Sequence, residues 1–114
     1  MQYMIMNYVR PDEFVGEGTP DNQPKEAWKA YTQAMIDAGV MVEGNALHPA
    51  HTATTVRLRD GQREIADGPY ADTKEHLGGY YIIEVPDLDT ALDWAARNPA
   101  AGSGAVEVRP VVMR

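Results

Sequence analysis

Residues Gln2–Val9, QYMIMNYV, carry apolar side chains on both alternating sets, with Met4, Met6 and Tyr8 on one and Tyr3, Ile5 and Val9 on the other. Successive side chains of an extended chain point to opposite faces, so this strand needs cover on both sides and belongs in the middle of a sheet. No other stretch restricts the fold as much. Residues 80–85, YYIIEV, repeat the pattern, with Tyr80 and Ile82 on the face opposite Tyr81, Ile83 and Val85.

Two helices are expected. Trp28, Tyr31, Met35 and Ala38 recur at helical spacing. Asn22 or Gln23 begins that helix, Pro24 occupies the first turn, where its missing N–H costs little, and Gly39 is the C-terminal stop. Asp87 caps the second helix, whose buried stripe is Leu88, Ala91, Leu92 and Ala95 and whose end is Asn98-Pro99. A strand over residues 40–47 is weakened by Gly44, and a last strand spans 105–111. Residues 52–59 and 62–66 form a hairpin about the tight-turn pair Asp60-Gly61. Residues 10–20 hold two prolines, two glycines and three acids and are expected as a loop.

The order β-α-β, hairpin, β-α-β is the ferredoxin-like arrangement, an α+β fold in which two helices lie on one face of an antiparallel sheet. A single domain over residues 1–114 accounts for the chain. Two helices leave the second sheet face uncovered. A second copy of the chain is its simplest cover, which gives an isologous homodimer with a shared cavity at the seam.

Composition narrows the partners. A net charge of −7 opposes direct nucleic-acid binding, which needs a basic surface. The local exception, Arg57, Arg59 and Arg63, is either a small anion site or a solvated hairpin. No apolar run is long enough to span a bilayer, and the first residues lack a basic leader and a cleavage site. Zero cysteines exclude disulfides, thiolate metal sites and cysteine nucleophiles, and fit a cytoplasmic protein.

The chemistry-bearing stretch is residues 67–85, DGPYADTKEHLGGYYIIEV, where a turn and a charged segment lead into a strand. Asp67, held by the Gly68-Pro69 turn beside Tyr70, either exchanges a proton or accepts backbone hydrogen bonds that lock the turn. Lys74 and Glu75 are a solvated pair or a local cap rather than a catalytic dyad, Lys74 is alternatively a contact for a carboxylate substrate, and His76 is a surface residue. His48 and His51 are loop residues or acid-base groups; a metal site there lacks donors and a rigid frame, so none is expected. Alternation sends Glu84, Glu107 and Arg109 to the face of Tyr80, as a cavity-wall cluster or an interface network of ion pairs.

That stretch resembles the signature of the DGPF group of YCII-related proteins, with Tyr70 where phenylalanine usually sits. MQYMIMNY, HTATTVRLRDG, LDTALDWAARNP and VEVRPV resemble the same group. The resemblance implies a dimeric α+β barrel. The wider superfamily resembles muconolactone isomerase and includes a dehydrochlorinase, which implies cofactor-free isomerase or lyase chemistry on a small organic ligand. The histidine and aspartate proposed as catalytic in shorter members do not carry over, since Pro24-Lys25-Glu26 has no histidine and Asn98 precedes Pro99. Genes of the DGPF group also accompany extracytoplasmic-function sigma factors, which implies the alternative of a non-catalytic regulatory module. The residues assigned to ligand binding are Tyr70, Lys74, Glu75, Tyr80, Arg57, Glu84, Glu107 and Arg109.

Overall fold

The computed structural model describes residues 1–10, 14–15, 19–20 and 25–113. The elements are β1 (Gln2–Val9), the short β2 (Phe14–Val15) and β3 (Thr19–Pro20), α1 (Lys25–Asp37), β4 (Met41–Ala46), β5 (Thr54–Arg59), β6 (Gln62–Asp67), β7 (His76–Glu84), α2 (Leu88–Ala96) and β8 (Ala105–Pro110). The helix start expected at Asn22 or Gln23, with Pro24 in the first turn, lies outside the described residues, as does most of the loop expected over 10–20.

The main sheet runs in the order β4-β7-β1-β8, with every neighbouring pair antiparallel. This is the ferredoxin-like order expected from the sequence, with β1 in the interior. Tyr3, Ile5, Asn7 and Val9 are buried, while Met4, Met6 and Tyr8 on the other face are half-buried. Tyr31 and Met35 of α1 and Ala91 of α2 close the core over Tyr3, Ile5, Tyr81, Ile83 and Val85.

Local signals set several boundaries. Gly39, at φ +73°, ends α1 in a Schellman arrangement in which Gly39 N donates to Ile36 O and Val40 N to Met35 O. The Asp87 carboxylate accepts from Thr90 N at 2.9 Å and so caps α2. Asp60 and Gly61 both have positive φ, as a two-residue hairpin turn demands.

Three expectations are corrected. Leu88 and Leu92 are each 47% exposed, so the buried stripe of α2 narrows to Ala91 and Ala95, beside which Trp94 packs on the core. Ala38 lies past the end of α1 and is exposed. β7 starts at His76 rather than at residue 80, which places Gly78 and Gly79 inside the strand. A Cβ on Gly79 would lie 2.8 Å from Asn45 O and 3.2 Å from Ala46 Cα, so the glycine is what lets β4 approach.

The hairpin forms a separate two-stranded sheet, and its side chains are almost all exposed. Val56 pairs with Ile65, and Leu58, on the same face, is 72% exposed. Hydrogen bonds at its base, Gly68 N to Ala53 O (2.8 Å) and Thr55 Oγ1 to Gly68 O (2.8 Å), tie the two strands together.

Gly79→Ala is expected to destabilise the fold by about 1–3 kcal/mol, because the new methyl meets backbone that cannot move aside. Chemical denaturation checks this; an unchanged midpoint would mean that β4 yields freely.

Candidate functional site

On the helix side of the sheet the single chain carries a hollow. α1 lies close on the sheet through Tyr31 and Met35. Towards its start it passes over Gly44, Ala46 and Gly78, and the lack of bulk at these three positions leaves a cavity of about 430 Å³. Gly44 is there for a steric reason, since a Cβ would sit 2.6 Å from Cδ1 of the Tyr81 ring.

The lining combines cations, donors and apolar surface. Lys25 and Lys29, both exposed and one helical turn apart, stand at its edge, with Trp28 between them in sequence. The Trp28 indole Nε1 is buried and has no hydrogen-bond partner among the described residues. Thr32 Oγ1 and the Tyr81 hydroxyl are 2.9 Å apart, and Val9 and Met41 add apolar wall.

Beneath this lies a buried amide pair. Asn98 Nδ2 donates to Asn7 Oδ1 at 2.6 Å, and Asn98 Oδ1 accepts from Ala100 N at 2.8 Å. Asn98 therefore caps the short 3-10 turn at Pro99–Ala101 while joining it to β1. Asn7 also lines the cavity.

Burial raises the Tyr31 hydroxyl to about 12, with the Asn98 side chain acting in the opposite sense. Tyr31 donates to Trp94 O at 2.9 Å and packs edge-on to the Tyr81 ring, with centroids 5.4 Å apart. Burial also raises Tyr81, opposed by its hydrogen bond with Thr32. On the outer face Tyr8 is raised, first by burial and then by the Glu107 charge.

The residues singled out from sequence do not converge on this cavity, and none of them lines it. Asp67 ends β6 opposite Thr54 and is exposed, and Tyr70 is 74% exposed. Arg57 lies over the Tyr70 ring at 5.0 Å. His48, His51, Lys74 and exposed Tyr70 stay at the surface; Glu75 and His76 are half-buried at the start of β7. Arg59 pairs with Glu64 at 3.1 Å, which splits the arginine cluster. Glu84 pairs with the amine of Met1 at 2.6 Å, and Glu107 pairs with Arg109. Those two acids, Arg109 and Tyr80 share the outer face as alternation implied. Tyr80 reaches Asn45 Nδ2 at 3.0 Å and Glu43 at 3.3 Å.

Asn7, Lys25, Trp28, Lys29 and Tyr81 escaped sequence reasoning as site residues. The signals available were a polar residue on the buried face of β1 and two lysines flanking a tryptophan at the start of α1. Among the described residues no group of three or more His, Asp or Glu is placed to hold a metal ion. No helix among them is long and apolar enough to cross a membrane.

The model of the YCII-related domain matches residues 1–113. The chain belongs to the YCII-related family. Another similar protein, described only as uncharacterised, comes from Rhizobium meliloti (strain 1021). It is 39% identical over 88 residues, covering 74% of this chain and 69% of that one. These comparisons agree with the fold of this YCII-related chain and attach no reaction to its cavity.

The tyrosines give the pH test. A hydroxyl held above its ordinary value favours the folded state fully below pH 10, and that support is lost as the pH rises through about 12 for Tyr31. Wild type is expected to lose stability across this window, and Tyr31→Phe to lose less. Thermal melts between pH 9 and 11.5 measure the difference; parallel curves would show that Tyr31 is not the source.

Proposed function

We propose that this YCII-related protein binds a small organic anion with a flat or apolar body in the cavity between α1 and the sheet. The observation that carries the reading is the pairing of Lys25 and Lys29 at the edge of a hollow walled by Trp28, Val9 and Met41. About 430 Å³ is within the range of small-molecule pockets, which are mostly apolar with a few placed polar groups. Two ammonium groups suit a carboxylate, the aromatic and apolar walls suit a ring, and Thr32, Gln33 and Tyr81 add donors or acceptors around it.

Proton-transfer chemistry of the isomerase or lyase kind needs an acid or base within reach of the ligand. The titratable groups that line the cavity among the described residues are Lys25, Lys29 and Tyr81. Binding is therefore the better-supported role, and catalysis would have to run through those three groups. Benzoate is a suitable first probe. Lys25→Gln and Lys29→Gln are each expected to weaken its binding by about tenfold, the loss of one charge-assisted contact. Calorimetry or amide-shift titration reads this, and unchanged affinity in both variants would end the anion reading.

We also propose that the outer sheet face meets a second copy of the chain. Met4, Met6, Tyr80 and Ile82 form adjoining pairs across β1 and β7 there, with Glu107 and Arg109 at one border. A regulatory module that grips a protein partner is the second reading, favoured by the bare Val56, Leu58 and Ile65 face of the hairpin. Light scattering separates the two: a dimer that dissociates on Met6→Glu supports the first, and a wild-type monomer at micromolar concentration removes it.

A further inference from the structure

The amide pair beneath the cavity fixes which atom of Asn7 meets a ligand. A backbone N–H can only donate, so the Asn98 atom that faces Ala100 N, 2.8 Å away, is its oxygen. The other end of the Asn98 side chain is then its NH₂ group, and the Asn7 atom 2.6 Å from it is the oxygen. By elimination the NH₂ group of Asn7 points the other way. Its position agrees: Nδ2 of Asn7 lies 3.3 Å from where a Cβ on Gly79 would stand, on the side of Asn45 and Ala46, both of which line the cavity, whereas Asn98 does not. Asn7 is 5% exposed, and its Oδ1 is taken by Asn98. A donor that a ligand encloses costs free energy if it is left unmet, and a ligand acceptor placed there avoids that cost.

We propose that Asn7 Nδ2 is a specificity-determining donor at the inner wall of the cavity, and that Asn98 is the positioning residue that aims it. This rests on the cavity being the anion site described above, and it narrows the ligand class. The fitting ligand is an organic carboxylate bearing a second hydrogen-bond acceptor, a carbonyl or another carboxylate oxygen, on the part of its body remote from Lys25 and Lys29. A ligand that presents an N–H or a methyl group at that point would leave the donor buried and unmet.

Asn98→Asp tests the aiming role without altering Asn7 or removing volume. Both carboxylate oxygens of the aspartate accept, so one still takes the Ala100 N–H, and the other draws the NH₂ of Asn7 towards itself. Asn7 then turns its oxygen to the cavity. In wild type at pH 8 an NOE is expected between the side-chain NH₂ protons of Asn7 and an α-proton of Gly79, and it should vanish in Asn98→Asp. Its absence in wild type, or its persistence in the variant, overturns the assignment whatever binds. The ligand arm compares 4-acetylbenzoate with 4-ethylbenzoate, equal in size and charge but differing in the acceptor. Wild type should favour the acetyl compound by about tenfold, and Asn98→Asp should abolish that preference. Equal affinities in wild type that both fall in Lys25→Gln would overturn the role of Asn7 and leave the anion site standing. Failure of both compounds to bind at millimolar concentration would overturn both.

Discussion

The contact between Tyr31 and Tyr81 decides how α1 rests on the sheet, and the cavity follows from it. The two rings meet edge-on, Tyr31 is tied to the carbonyl of Trp94, and Tyr81 to the hydroxyl of Thr32. Helix, sheet and second helix are thereby held at one spacing by large side chains with satisfied polar ends. With the spacing set, residues smaller than a tyrosine cannot fill the gap. Gly44, Ala46 and Gly78 fall where α1 passes over β4 and β7, so space remains there as a geometric consequence.

Much of the fold was readable from the chain because its determinants are local. The double-sided apolar pattern of β1 put it in the sheet interior, Asp60-Gly61 made the hairpin turn, and Gly39 and Asp87 marked helix ends. Each depends on neighbours within a few positions. The stripe of α2 failed differently. Leu88 and Leu92 have the right spacing, but Ala91 and Ala95 are the residues of α2 that turn to the core, and both leucines are left at the surface.

The site was much less readable. Gly78-Gly79 carries the sequence mark of a chain leaving a loop, yet both glycines lie within β7, one for the approach of β4 and the other beside the cavity. Asn7 and Asn98 are 91 positions apart and nothing in either segment announces the other. Asn98 looked like a helix terminator before proline, which it is, but its side chain works across the structure. Charged and titratable residues, the usual guide, instead led to the hairpin and the outer face, where they pair with one another or face water.

The hairpin gives the molecule two tiers of order. Among the described residues its strands pair only with each other, and Val56, Leu58 and Ile65 on its apolar side are exposed. An isolated two-stranded ribbon is marginal in water. Backbone amides of β5 and β6 should therefore exchange with solvent through openings that leave β1 and β7 intact. The arm can thus reshape itself around whatever it touches at little expense to the body that holds the cavity.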